Sequence, residues 1–163
     1  MKKIIETQRA PGAIGPYVQG VDLGSMVFTS GQIPVCPQTG EIPADVQDQA
    51  RLSLENVKAI VVAAGLSVGD IIKMTVFITD LNDFATINEV YKQFFDEHQA
   101  TYPTRSCVQV ARLPKDVKLE IEAKKFPVQV LSRQKTDIMI PRPIGSTLRS
   151  VLLYSVRAQL RYP

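Results

Sequence analysis

Two segments of helical hydrophobic period, held apart by a β-branched run, constrain this chain more than any other feature. Between residues 45 and 64 the apolar side chains Val46, Ala50, Leu54, Val57, Val61 and Ala64 recur at threes and fours, so one face of a long helix packs inward. Asp45 is placed to cap its first turn and Gly65 to stop it. A second amphipathic helix opens at Asp80 or Asn82, carries Phe84, Ile87, Tyr91, Phe94 and Phe95, and ends near His98, before Pro103. Between them Ile71–Thr79, rich in β-branched residues, reads as a central strand.

The flanks supply the remaining strands. Ile4-Ile5 opens the chain as a short strand, and Pro11-Gly12-Ala13-Ile14-Gly15-Pro16 defeats both regular periods. Tyr17–Val21 and Ser25–Ser30 read as strands around the turn Asp22-Leu23-Gly24, and a loop follows through Pro34, Pro37, Gly40 and Pro43. Arg105–Val110 and Val117–Ala123 close the series, joined by a loop containing Pro114. The order β-β-β-α-β-α-β-β predicts an α+β fold, one mixed sheet with both helices on a single face. The other face also needs cover. With Val18, Val76, Ile78, Val108, Leu119 and Ile121 assigned to it, self-association is expected.

Composition narrows the class. At 163 residues, 45% hydrophobic and 21% charged, the chain suits one soluble domain with a substantial core. No apolar run has the length of a membrane span, and Met1-Lys2-Lys3-Ile4-Ile5-Glu6 lacks the apolar region of a signal peptide. Cys36 and Cys107 form neither a metal-ligand spacing nor a disulfide framework. The expectation is a cytoplasmic protein with no metal and no membrane partner. Residues 124–163 hold eight Lys/Arg against the single acid Asp137, a segment of +7, while residues 1–123 carry eleven bases and fifteen acids. The high pI therefore belongs to the C-terminal stretch and does not argue for nucleic acid as a partner of the body.

Candidate chemistry concentrates in Pro103-Thr104-Arg105-Ser106-Cys107-Val108 and Leu119-Glu120-Ile121. Arginine offers a fixed fork of donors that fits a carboxylate, and a glutamate set among apolar residues tends to a raised pKa suited to proton transfer. The bland readings stand beside these. Arg105 also reads as a surface ion-pair residue, and the alternation Lys118-Glu120-Glu122 puts Glu120 on a solvent-facing row. Cys107, a lone strand cysteine whose only imidazole in the chain is His98, reads as packing rather than nucleophile. Gly31 after Ser30 permits close approach to the backbone. Tyr17 reads as loop packing or as a hydroxyl that orients a ligand, and Asn88 as a solvent-facing helix residue. No glycine-rich phosphate cradle, zinc spacing or Ser/His/Asp arrangement is present.

The run Pro-Thr-Arg-Ser-Cys-Val-Gln-Val-Ala-Arg-Leu, followed at Leu119 by Leu-Glu-Ile, resembles the signature of the reactive-intermediate deaminase (Rid or YjgF) family. Further blocks are similar: Ala13-Ile14-Gly15-Pro16-Tyr17, Thr29-Ser30-Gly31-Gln32-Ile33-Pro34, Asn56-Val57-Lys58-Ala59-Ile60, Val76-Phe77-Ile78-Thr79-Asp80-Leu81 and Ala111-Arg112-Leu113-Pro114-Lys115-Asp116-Val117. Together they span residues 1–123. The resemblance implies a chorismate-mutase-like subunit assembled as a homotrimer, with sites between subunits. It implies hydrolysis of 2-imino acids and their enamine tautomers, released by pyridoxal-phosphate dehydratases, to 2-keto acids and ammonia, with no cofactor. In those terms Arg105 binds the substrate carboxylate and Glu120 holds water and shuttles a proton. Backbone N–H groups near Gly31 and Cys107 orient the carboxylate, and Tyr17, from a neighbouring subunit, closes a pocket lined by Ser30 and Asn88. Alternatives are a non-catalytic module that binds or senses 2-ketobutyrate in threonine degradation, and RNA cleavage.

The likeness stops at the C-terminus. Lys124-Lys125-Phe126-Pro127 replaces an apolar continuation of the last strand, sending one lysine to each face before Pro127 ends the ladder. Residues 1–126 read as the family domain. Residues 127–163 read as an atypical basic extension of the kind a shifted reading frame or a fusion appends, with a weak amphipathic segment over Ser146–Leu160.

Overall fold

The computed structural model describes residues 2–125. The extension expected over 127–163, its Ser146–Leu160 segment and Pro127 lie outside the described residues. The elements are β1 (Lys3–Ile5), β2 (Gly20–Asp22), β3 (Val27–Thr29), α1 (Val46–Ala63), β4 (Ile71–Ile78), α2 (Phe84–Glu97), β5 (Thr104–Gln109) and β6 (Leu119–Lys125). They form a six-stranded mixed sheet in the order β1-β2-β3-β6-β4-β5. Every pair is antiparallel except β4 with β5, which are parallel and joined through α2.

The helices follow from their caps and stripes. The Asp45 carboxylate accepts the Gln47 N–H at 2.7 Å and so satisfies one of the orphan donors of the first turn of α1. Asp80 instead caps a short 3-10 turn, Leu81–Asp83, that delivers the chain into α2 one turn later than the acid itself suggests. Leu54, Val57 and Val61 of α1 and Ile87, Phe94 and Phe95 of α2 meet Met74, Val76, Ile78, Leu119, Ile121 and Ala123 in one buried cluster.

That cluster overturns one expectation. Val76, Ile78, Leu119 and Ile121 point to the helices, not to the uncovered face. The row between them is exposed or half-buried: Phe28 on β3, Thr75 and Phe77 on β4, Val108 on β5, and Glu120, Glu122 and Lys124 on β6. Of the six residues assigned to the open face only Val108 lies there on a strand, and Val18 sits in the loop before β2. The period of two identifies residues that share a face but not which face the helices cover. Tyr17 likewise stands before β2, in a tight turn where its N–H donates to the Gly15 carbonyl at 2.8 Å.

β6 runs two residues past its expected end. Lys124 reaches the open face over the Phe28 ring, at 5.9 Å from the centroid. Lys125 is buried, with Asp70 as its carboxylate partner at 3.8 Å. A buried ammonium is tolerated only with such a partner.

A row of buried polar residues on α1 fixes the loops that reach the site. Gln49 accepts the Lys118 N–H at 2.9 Å and donates to the Pro43 carbonyl at 2.8 Å. Asn56 donates to the carbonyls of Ile33 and Val35 at 3.1 and 3.0 Å. Gly20 marks the tightest strand–helix approach, because a Cβ there would stand 2.9 Å from Ile60 Cγ2 and 3.0 Å from the Phe28 carbonyl oxygen. Gly20→Ala is therefore expected to destabilise the fold by about 1–3 kcal/mol through overpacking, measured as a lower denaturant midpoint at unchanged m-value.

Candidate active site

Register decides where each candidate side chain goes. On β5, Arg105 lies opposite Met74 and Cys107 opposite Val76. Both β4 partners are buried under the helices, so Arg105 and Cys107 reach toward α2. On β6, Glu120 lies opposite Phe77 and reaches the uncovered face. One protomer thus holds Arg105 and Glu120 on opposite sides of the sheet and does not bring them together.

The first cluster is built on α2 and β5. The Arg105 guanidinium carbon stands 4.6 Å from the centroid of the Tyr91 ring and 5.5 Å from that of Phe84. Among the described residues Arg105 makes no ion pair and no side-chain hydrogen bond. Asn88, Tyr91, Lys92, Tyr102, Pro103 and Arg105 line an open groove of about 380 Å³. Cys107 packs against the core beside it, and burial pushes its thiol up. That suits packing or backbone positioning, not nucleophilic attack.

The second cluster surrounds Glu120. The backbone of Gln32 exchanges hydrogen bonds with Ile121 at 2.8 and 3.1 Å, which lays the segment after β3 along β6. Gly31 then rests directly on the glutamate. A Cβ on Gly31 would overlap Glu120 Oε1 and stand 2.6 Å from its Cδ. Burial, assisted by Glu122, pushes the Glu120 carboxyl above its ordinary value, and no cation pairs with it among the described residues. The Ser30 hydroxyl donates to the Val18 carbonyl at 2.6 Å, so it offers a ligand lone pairs and not its proton. Tyr17 is 48% exposed, and its phenol oxygen weakly accepts the Ile14 N–H at 3.4 Å. Tyr17, Gly31, Gln32, Cys36 and Lys115 share the walls of a cavity of about 180 Å³.

The expected site residues therefore fall into two separate clusters. Asn88, Arg105 and Cys107 form one, and Tyr17, Ser30, Gly31 and Glu120 the other. Reading the sequence missed Tyr91 and Phe84 as neighbours of Arg105. The signal was present, since Phe84, Asn88 and Tyr91 are spaced by four and three and share a helix face, but it reads equally as core. His98 stays structural, its ring nitrogens 2.7 Å from the Phe94 carbonyl oxygen and 3.3 Å from Lys58 Nζ. Among the described residues no group of three or more His, Cys, Asp or Glu is placed to hold a metal ion, and no helix is long and apolar enough to cross a membrane.

With this sheet, these helices and these clusters in place, the chain belongs to the reactive-intermediate deaminase family, matched over residues 7–124 by the family model described as Endoribonuclease L-PSP. The 2-iminobutanoate/2-iminopropanoate deaminase of Escherichia coli K12 is 73% identical over 123 residues, which cover 76% of this chain and 96% of that protein. A RutC family protein of Pyrococcus horikoshii is 53% identical over 124 residues, 76% of this chain and 96% of its own length. Among solved structures, E. coli TdcF with bound serine is similar at 98% identity and a TM-score of 0.76, covering 76% of this chain and 98% of that one. The product of E. coli yjgF is similar at 70% identity and a TM-score of 0.76, covering 77% and 98%.

Two outcomes follow from the Glu120 cluster. Gly31→Ala is expected to fold within about 1 kcal/mol of the wild type, because the clash falls mostly on the flexible end of Glu120. A crystal structure of the variant checks this by showing the carboxylate swung off the glycine. The raised pKa of Glu120 means that folding disfavours its charged form. Its stability contribution is intact below the unfolded pKa and declines as pH rises through the folded one. Glu120→Gln should therefore raise Tm at pH 7, with the gain vanishing toward pH 4, as read by thermal melts across that range.

Proposed function

We propose that the chain is a 2-iminobutanoate/2-iminopropanoate deaminase, hydrolysing imines and enamines released by pyridoxal-phosphate dehydratases to 2-keto acids and ammonia in the cytoplasm. The observation that carries this reading is the Arg105 guanidinium, half-buried at a groove and without an ion pair among the described residues. Its donors are available to a small carboxylate. The E. coli deaminase supplies the named reaction, and the TdcF structure, with its bound serine, supports a small α-amino acid-like ligand.

The working site is assembled from two copies, with Arg105, Cys107 and Asn88 of one facing Tyr17, Ser30, Gly31 and Glu120 of the next. A closed ring of three such contacts gives a homotrimer with three sites. It also covers the open face, where Phe28, Phe77 and Val108 lie between charged residues. Residues 1–126 form the functional unit.

Arg105 fixes the substrate carboxylate in ground and transition states alike, so it acts through positioning. Glu120, its pKa moved toward neutrality, accepts a proton from water as the water oxygen bonds to C2. The imine π electrons pass to nitrogen, which takes that proton back from Glu120. In the resulting carbinolamine the hydroxyl proton is relayed through Glu120 to the amino nitrogen, C=O forms as the C–N bond breaks, and ammonia leaves with Glu120 again deprotonated. An enamine must first gain a proton at its β-carbon, which the protonated Glu120 supplies.

A binding module for 2-keto acids rests on the same guanidinium and is favoured by the occupancy of TdcF by serine. RNA cleavage has less support, because residues 1–123 carry eleven bases against fifteen acids, a poor balance for gripping a phosphate backbone.

The test generates 2-iminobutanoate with a dehydratase and follows keto-acid release. Wild type is expected to accelerate release, Arg105→Ala and Glu120→Gln to lose at least about 100-fold, and Glu120→Gln to retain 2-ketobutyrate binding. Keto-acid binding by a wild type without turnover makes the protein a binding module. Refolding the two inactive variants together at equal concentration should restore about a quarter of wild-type activity, the fraction of shared sites drawing both intact residues. No recovery means that Arg105 and Glu120 act from one subunit.

A further inference from the structure

Tyr91 forms the inner wall of the Arg105 cluster. Tyr91 is 6% exposed, and its hydroxyl donates to the Met74 thioether at 3.4 Å. Its ring faces the guanidinium of Arg105 at 4.6 Å, while Phe84, 38% exposed, stands at 5.5 Å as the outer wall. The phenol is pushed up to about 12, chiefly by burial, so the ring is neutral throughout the working range.

A half-buried arginine is most often held by a carboxylate, which occupies two of its five donors. Here no carboxylate does so among the described residues. An aromatic face attracts the cation through its quadrupole and uses no N–H group. The guanidinium is thereby fixed in place with its hydrogen-bonding fork unspent, which is what capture of a small carboxylate needs. A carboxylate at position 91 would compete with the substrate, whereas an aliphatic residue would leave the guanidinium free to rotate into solvent.

We infer that Tyr91 is a positioning residue: its buried ring, backed by Met74 and assisted by Phe84, sets the Arg105 guanidinium for carboxylate binding without occupying its donors. The inference rests on the proposed function for its kinetic consequence but not for its physical one. Because the carboxylate contact is the same in ground and transition states, loss of the ring falls on KM and leaves kcat.

The experiment compares Tyr91→Leu and Tyr91→Phe in the full-length protein. Two readouts are used: 2-iminobutanoate hydrolysis, and the Nε–H proton resonance of Arg105, assigned by its disappearance in Arg105→Lys. Tyr91→Leu is expected to raise KM by about 3- to 30-fold with kcat held, and to abolish the upfield ring-current displacement of the Nε–H signal. Tyr91→Phe is expected to restore KM and signal together. A fall in kcat at unchanged KM, or a signal that stays displaced in Tyr91→Leu, overturns the inference. Should Tyr91→Leu not fold, Tyr91→Met, whose longer side chain fills more of the space, is read by the same criteria. If wild type shows no turnover the proposed function falls, and the resonance in the unliganded protein alone decides for or against the role of Tyr91.

Discussion

The antiparallel ladder between β4 and β6 sets the side of the sheet that every chemical group reaches. Met74, Val76 and Ile78 pair with Ala123, Ile121 and Leu119, so both strands present their smooth apolar rows to the helices together. The intervening row is then committed to the other side, and Glu120 goes with it. Since β5 hydrogen-bonds to β4 in parallel register, the same ladder sends Arg105 and Cys107 under α2. A one-residue slip would exchange the two halves and bury Glu120 and Glu122 in the core. Hydrophobic burial and the placement of chemistry are thus one constraint in this fold.

The two clusters show opposite electrostatic arrangements. Among the described residues Glu120 has no cation partner and is pressed by backbone at Gly31, which makes its negative charge costly and its proton easier to hold. Among the same residues Arg105 has no anion partner but lies against aromatic rings, which keeps its positive charge comfortable and its donors open. The ion pairs of α1 and α2, Arg51 with Glu55 and Glu97 and Lys58 with Glu55, show the ordinary arrangement a few residues away.

Much of the fold was legible in the sequence, and the limits have physical causes. The stripes of α1 and α2 and the Asp45 cap act within one turn, so local spacing reveals them. Local pattern favoured surface readings for Arg105 and Glu120, and only the family blocks set them apart as site candidates. Val76, Ile78, Leu119 and Ile121 were rightly grouped on one face but assigned to the wrong one, because sidedness depends on where the helices dock. The split into two clusters requires the β4–β5 register, a long-range fact that spacing does not carry. The two lysines fall one to each face as their positions imply, but the ion pair that lets Lys125 be buried was not legible, because Asp70 lies far away in sequence.

β5 is an edge strand, attached to the sheet through β4 alone, and its side chains are mostly exposed or half-buried. In an isolated protomer, local opening of this strand breaks one ladder and leaves the core cluster shut, so its amides exchange with solvent sooner than those of β4 and β6. The strand that carries Arg105 and Cys107 is therefore more loosely held than the β4 and β6 strands at the centre of the sheet. Under mild denaturant or rising temperature, the setting of these two side chains loosens while α1, α2 and their buried apolar cluster are still intact.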